Sequence, residues 1–201
     1  MRVYLSLDQS TGRFFEYSKE EKEGWEKHTY TSKDGGTTKV TYRNYYLSGV
    51  RGIFKGVKLQ DSKFGLQFQV GLEEEGVTRI LSFPYKSQKG FHDDNFLVPF
   101  LKVLPNMQMG EVYTVRAYRF TPTDSIYEKS GVKVEDEAGE SLDWAISESY
   151  VRKTGEVSEG DIPPKKFKKN KSTKKSEIDM ITFAARTEYL DAVVEKILGQ
   201  K

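Results

Sequence analysis

The strongest constraint on the fold is a strict alternation of residue types over residues 64–72. Large apolar side chains occupy every second position, and only glycine or glutamine stands between them. Because successive side chains of a strand point to opposite faces, this pattern predicts a strand with one buried face. The glutamates and glycine of residues 73–76 predict a turn, and residues 77–85 predict a returning strand. The two segments together predict a β-hairpin.

Other short segments of strand-forming residues recur between turn signals. Further strands are predicted at residues 2–7, 25–31, 37–47, 50–59 and 111–121, with a late hairpin at 132–134 and 142–146. Gly52 and Gly56, inside one of these strands, indicate bulges or strong curvature. One short helix is predicted at residues 95–104, ended by Pro105. The expected fold is therefore mainly β: an OB-like antiparallel barrel of five or more strands with one connecting helix, or else a sandwich.

Positive charge is concentrated near the C-terminal end. Residues 1–160 carry 22 Lys and Arg against 24 Asp and Glu, a net charge of −2. Residues 161–175 carry seven Lys against one Asp, a net of +6, and residues 176–201 carry three basic against five acidic groups, a net of −2. Such a lysine run attracts polyanions, although a solubilising spacer or a localisation signal has the same composition.

These patterns predict three parts: a nucleic-acid-binding barrel at residues 1–160, a Lys-rich linker at 161–175, and an amphipathic docking or oligomerisation helix at 176–201. Ser176 is the predicted N-cap of that helix, with Asp179 in a capping-box position, and Gly199 is its predicted end. A single amphipathic helix is marginal alone. Self-association or docking to a protein partner is the predicted role of residues 176–201.

The chemistry of most enzymes has no counterpart in the sequence. The chain has no cysteine, and it lacks a phosphate-binding glycine loop, a dinucleotide-binding glycine motif and a His-Glu-x-x-His zinc motif. His92 and the Asp93, Asp94 and Asn95 that follow it are residue types that bind metals, but a solvated turn with Asp94 or Asn95 capping the next helix is favoured. We expect no catalytic activity, no metal and no cofactor, no membrane contact, and a cytoplasmic location.

Aromatic and basic residues alternate closely in several predicted strands. Single-stranded nucleic acid needs both, because bases stack on aromatic rings and cations meet the phosphates. The candidate contacts in the barrel are Tyr42, Arg43, Tyr45, Lys55, Tyr85, Lys86, Arg116 and Tyr118. The candidates in the lysine run are Lys165, Lys166, Lys168 and Lys169.

Strand parity ranks these candidates. In residues 111–121 the alternation places Tyr113, Val115 and Ala117 inward, so Arg116 and Tyr118 share the outer face. An arginine beside outward aromatic rings is the strongest candidate, and a cation–π pair on an inert sheet is its alternative. Tyr85 has the parity of Phe83 and Leu81, so core packing competes with a binding role there.

Several strings resemble single-stranded DNA-binding proteins of tailed bacteriophages, particularly the crAss-like group. They are Tyr42-Arg-Asn-Tyr-Tyr46, Gly52-Ile-Phe-Lys-Gly56, Lys63-Phe-Gly65, Leu81-Ser-Phe-Pro-Tyr85 and Asp161-Ile-Pro-Pro164. The resemblance covers roughly residues 25–165. It implies an OB-fold that coats single-stranded DNA in phage replication and recombination, within the host cytoplasm. Many such proteins end in an acidic recruiting tail, whereas this chain ends in a basic run and a helix. With this resemblance, self-association or a replication-protein partner is expected for residues 176–201.

The resulting hypothesis is sequence-independent binding of single-stranded DNA. One alternative is a phage virion or assembly protein whose C-terminal helix docks a partner. A second alternative is a nuclease with scattered acidic ligands, which would require Mg²⁺ for turnover.

Overall fold

The structure is a computed structural model that describes residues 1–31, 37–63, 65–86, 92, 95–151, 157–165, 167–169 and 176–199. Nine strands of these residues form one sheet: β1 (Arg2–Asp8), β2 (Arg13–Ser18), β3 (Glu26–Thr31), β4 (Thr38–Tyr46), β5 (Val50–Ser62), β6 (Gly65–Glu74), β7 (Val77–Pro84), β8 (Val112–Phe120) and β9 (Lys129–Glu135). Two short pairs follow: β10 (Tyr150–Val151) with β11 (Val157–Ser158), and β12 (Phe167–Lys169) with β13 (Ser176–Ile178). The α-helices are α1 (Leu97–Val103) and α2 (Met180–Gly199).

The sheet is mixed and curls into a half-barrel with the order β3-β4-β2-β1-β7-β6-β5-β8-β9. The predicted mainly-β, barrel-like fold with one connecting helix and a C-terminal helix is confirmed. The pair β1 and β7 is parallel, and the other pairs of this sheet are antiparallel. A parallel pair requires a long crossover, here the five strands between β1 and β7.

The core fills the inner face of the sheet. Phe68, Val70 and Leu72 of β6 are fully buried, as their alternation predicts, while Phe64 lies outside the described residues. Helix α1 closes this core, because Phe100 stacks on Phe83 at 5.3 Å between ring centroids. Burying aromatic side chains of this size accounts for much of the stability of a small barrel.

Several element boundaries differ from the predictions. Strand β2 was not predicted, although Phe14 is 1% exposed in the core. Residues 142–146 do not form a strand; Ala145 and Ile146 instead donate backbone hydrogen bonds to the carbonyl of Lys102. Phe96, not Asn95, is the N-cap of α1, and no side chain caps it. Asp94 lies outside the described residues.

The C-terminal helix begins at Met180, four residues later than predicted. Ser176–Ile178, the start of the predicted helix, is instead extended and pairs with Phe167–Lys169 of the predicted linker. Asp179 caps the helix instead, accepting a 3.3 Å hydrogen bond from the backbone N–H of Ile181. Leu190 and Val194 of α2 are 1% and 0% exposed and belong to the core of the barrel.

Three charged side chains fasten α2 to α1 and to the segment before β10. Glu148 accepts contacts from Lys102 of α1 at 3.4 Å and from Arg186 of α2 at 2.8 Å. The Lys102 and Arg186 side chains are 5% and 4% exposed. Burial lowers the pKa of Lys102, although the nearby negative charge of Glu148 acts to raise it. We call Lys102, Glu148 and Arg186 the polar clamp.

Candidate nucleic-acid interface

The outer face of the sheet is one continuous surface that can be followed by strand register. Phe15 of β2 pairs with Tyr45 of β4 and with Ser6 of β1. Ser6 pairs in turn with Ser82 of β7, and Ser82 pairs with Gln69 of β6. Because directly paired residues share a face, these side chains lie opposite the core.

On strands β8 and β9 this face carries the strongest predicted pair. Tyr113, Val115 and Ala117 are buried, and the inward parity predicted for them is confirmed. The Arg116 side chain is 43% exposed, and Tyr118 is 37% exposed. Phe120, 51% exposed, lies beside Tyr118 with 5.9 Å between ring centroids. Two neighbouring rings and a guanidinium therefore meet solvent along one strand.

The neighbouring strand β9 leaves room for the Tyr118 ring and adds cations. Gly131 pairs directly with Tyr118, and a Cβ atom there would lie 2.5 Å from the tyrosine oxygen. The ring thus lies over a position that only glycine leaves open. Lys133 pairs with Arg116, and Lys129 pairs with Phe120. Basic and aromatic residues therefore alternate both along β8 and across the strand pair.

Carboxylates reduce the positive charge of this surface. Glu135 lies 3.6 Å from Arg116 and 2.6 Å from Lys133. The Nε atom of Arg116 also donates a 3.1 Å hydrogen bond to the carbonyl of Ser48. These contacts orient the guanidinium on the surface, and an incoming phosphate would compete with Glu135 for both cations.

The turn between β1 and β2 joins this strand pair to a second candidate cluster. Gly12, with φ +64°, approaches so closely that a Cβ atom would overlap the backbone of Tyr118 and Arg119. The guanidinium of Arg119 donates a 2.6 Å hydrogen bond to the carbonyl of Gln9. The start of this turn is therefore fixed next to β8.

The second cluster forms around Asp8, at the end of β1. Arg43 approaches Asp8 at 3.0 Å, and the hydroxyl of Tyr45 donates a 2.9 Å hydrogen bond to the same oxygen. Arg43 also lies 4.3 Å above the ring of Phe15. Burial alone raises the pKa of Asp8, but hydrogen bonds from Ser10 and Tyr45 and the charge of Arg43 hold it below its ordinary value. Arg43 and Tyr45 thus form an internal network that supports the outer face.

The structure places Tyr85 and Lys86 under the C-terminal helix. Tyr85 is 6% exposed, and its hydroxyl donates a 2.7 Å hydrogen bond to Asp191 of α2. Lys86 donates a 2.6 Å hydrogen bond to the other oxygen of Asp191, and the Nε2 of His92 lies 3.2 Å from the first. Burial and the adjacent carboxylate raise the pKa of Tyr85. We infer that Tyr85 and Lys86 hold the helix in place rather than presenting a binding surface.

The environment of His92 also differs from the predicted one. Its side chain is 1% exposed and packs edge-on against Tyr85, so it is not in a solvated turn. Although burial alone raises the pKa of Asp191, hydrogen bonds from Lys86 and Tyr85 hold it below the ordinary value. In the part of the chain that the structure describes, no three His, Asp or Glu residues group as a metal site.

The remaining predicted contacts are scattered. Tyr42 is half-buried, with its hydroxyl 3.4 Å from Glu21, and Lys55 is exposed, 3.8 Å from Glu73. Lys165 is half-buried and lies close enough to Lys102 to lower its pKa. Lys168 and Lys169 belong to β12, and only their backbone is described; Lys166 lies outside the described residues.

Other exposed aromatic residues on the outer face were missed by the sequence reasoning. Tyr17 of β2 pairs with Arg43 and is 55% exposed, and Tyr4 of β1 pairs with Ile80 and is 53% exposed. The signal for Tyr4 was present, because Val3, Leu5 and Leu7 alternate with it. Tyr17 could not be placed, since β2 itself was not predicted.

Comparisons with protein-family models, curated proteins and solved structures find no match to this chain. Among the helices of the described residues, none has the length and apolar character that a membrane span requires. The outer face of β8 and β9, with its exposed rings and cations, is therefore the feature of this chain that indicates a function.

Proposed function

We propose that this protein binds single-stranded DNA without sequence preference, through the outer face of β8 and β9. The observation that carries the proposal is the adjacency of Tyr118 and Phe120 to Arg116, Lys129 and Lys133. Exposed rings accept any base, since every base has a π-face, and flanking cations meet the phosphates. The resemblance to phage single-stranded DNA-binding proteins suggests replication and recombination as the setting.

The geometry suits stacking better than base-specific readout. Tyr118 is held by its contact with Gly131, so its ring loses little freedom when a base stacks on it. Arg116 is oriented by Ser48 and Glu135, and exchanging that carboxylate for a phosphate keeps its charge paired. The binding energy therefore comes from rings and phosphate contacts, which all sequences share.

The alternative of a virion or assembly protein requires the C-terminal helix to dock a partner. The apolar residues Leu190 and Val194 of that helix are covered by its own barrel. The outer face of the sheet, in contrast, presents the exposed rings of Tyr4, Tyr17, Tyr118 and Phe120. This distribution favours the DNA-binding proposal over the docking one.

The test is a double substitution, Arg116→Ala with Tyr118→Ala, measured by fluorescence anisotropy with labelled oligo-dT. One lost stack and one lost phosphate contact are expected to weaken binding by about 10- to 100-fold. Both side chains are on the surface, so the melting temperature should change little.

A matched control is Tyr150→Ala with Lys196→Ala. Both residues are exposed, and they belong to β10 and α2 instead of β8 and β9. The control variant should bind oligo-dT as the wild type does. Equal affinity of the Arg116/Tyr118 variant and this control would remove the β8–β9 face from the proposal.

A further inference from the structure

A second set of exposed tyrosines lies on the outer face, on strands β2 and β3. Tyr17 of β2 pairs with Arg43 of β4, and Arg43 pairs in turn with Glu26 of β3. Because every second residue of a strand shares a face, Tyr30 of β3 lies on the same face as Glu26 and Tyr17. Tyr17 is 55% exposed and Tyr30 is 50% exposed. Two rings therefore meet solvent on the half of the sheet formed by β2, β4 and β3.

Two cations near these rings are open to a phosphate. Lys39 of β4 is the register partner of Tyr30, and Arg13 lies on the same face at the start of β2. Both are exposed, and neither forms an ion pair with any residue that the structure describes. The side chain of Arg43, in contrast, is 23% exposed and is held by Asp8 at 3.0 Å. Rings and available cations thus occur together here, as they do on β8 and β9.

This second surface is continuous with the outer face of β8. A Cβ atom on Gly12 would overlap the backbone of Tyr118 and Arg119, so the turn that leads into β2 lies against β8. The guanidinium of Arg119 also donates a hydrogen bond to the carbonyl of Gln9 in this turn. Tyr17 follows Gly12 by five residues, about 17 Å along an extended strand. A bound single strand can therefore pass from Tyr118 over the turn to Tyr17 without leaving the protein surface.

We propose that the single strand bound at β8 and β9 continues over the β1–β2 turn onto the outer face of β2, β4 and β3, where its bases stack on Tyr17 and Tyr30. Arg13 and Lys39 meet the phosphates of this second segment. The preferred ligand is then a strand long enough to contact both halves of the sheet, at the upper end of the roughly 4 to 16 nucleotides that single-strand-binding barrels cover. This inference rests on the proposed function, because it extends the same DNA path.

The test compares oligo-dT of 4 and of 16 nucleotides by anisotropy, in the wild type and in the double variant Tyr17→Ala with Tyr30→Ala. Losing two stacks is expected to weaken binding of the 16-mer by about 30-fold or more. Binding of the 4-mer, which β8 and β9 hold, should stay within about twofold. Unchanged binding of the 16-mer would assign these tyrosines to another partner and overturn the inference, and equal weakening of both lengths would overturn it as well.

Two further variants separate stacking from a change in the fold. Tyr17→Phe with Tyr30→Phe keeps both rings and should bind the 16-mer as the wild type does, and weaker binding in that variant would contradict a stacking role. Tyr150→Ala removes a tyrosine of similar exposure, 55%, from β10 and should change neither affinity. Dependence of 4-mer binding on Arg116 and Tyr118 tests the proposed function by itself, so the two proposals fail separately.

Discussion

Replacing Glu148 by alanine is expected to lower the free energy of unfolding by about 3 kcal/mol. Glu148 is the shared partner of Lys102 and Arg186, whose side chains are 5% and 4% exposed. Its removal takes from two buried cations the carboxylate that they share, which costs far more than losing a surface ion pair. Chemical denaturation, with the change in free energy taken from the midpoint, measures the effect.

Two variants make the Glu148 result specific to the polar clamp. Glu159→Ala removes an exposed carboxylate nearby in sequence and should change stability by less than about 0.5 kcal/mol. Adding Lys102→Met to Glu148→Ala removes one of the two buried cations and should restore part of the lost stability. A Glu148→Ala protein as stable as Glu159→Ala would show that the clamp does not hold the helix.

Raising the salt concentration tenfold is expected to reduce affinity for oligo-dT by about 100- to 600-fold. Arg51 of β5 pairs with Thr114 of β8, and together with Arg116, Lys129 and Lys133 it places four cations on the outer face around β8. If three or four of them meet phosphates, the slope of log affinity against log salt is about −2.1 to −2.8 for a single strand. Anisotropy titrations at five or more salt concentrations give the slope.

The salt series also separates the two parts of the binding energy. Lys133→Ala removes one phosphate contact and should reduce the steepness of the slope by about 0.7, whereas Tyr118→Ala should weaken binding without changing it. A flat salt dependence in the wild type would contradict the electrostatic part of the proposal and leave stacking alone.

The fold was predictable where alternation is strict and local. β6 and β8 have period-two patterns, and their buried apolar residues follow from sequence parity. Strand β2 was not predictable, because its consecutive Phe14 and Phe15 break the alternation. Phe14 enters the core, while Phe15 lies under Arg43. Its pairing with both β1 and β4 is a tertiary fact that residues 13–18 do not encode.

The candidate site was predictable only in part, for a related reason. Exposure of Arg116 and Tyr118 follows from strand parity, but the roles of Tyr85 and Lys86 depend on Asp191, more than 100 residues away. The position of the C-terminal helix also changes the expected effect of deleting the chain from the lysine run onward. Because Leu190 and Val194 complete the core, deleting the region after the run would expose apolar surface instead of only removing an anchor.

The most direct measurement compares single-stranded and duplex DNA of equal length by anisotropy titration, with and without Mg²⁺, and follows cleavage on a gel. We predict at least tenfold tighter binding of the single strand, because bases paired in a duplex cannot stack on Tyr118 and Phe120. We also predict no Mg²⁺-dependent cleavage. Equal or tighter binding of the duplex, absence of DNA binding, or turnover in Mg²⁺ would contradict the account.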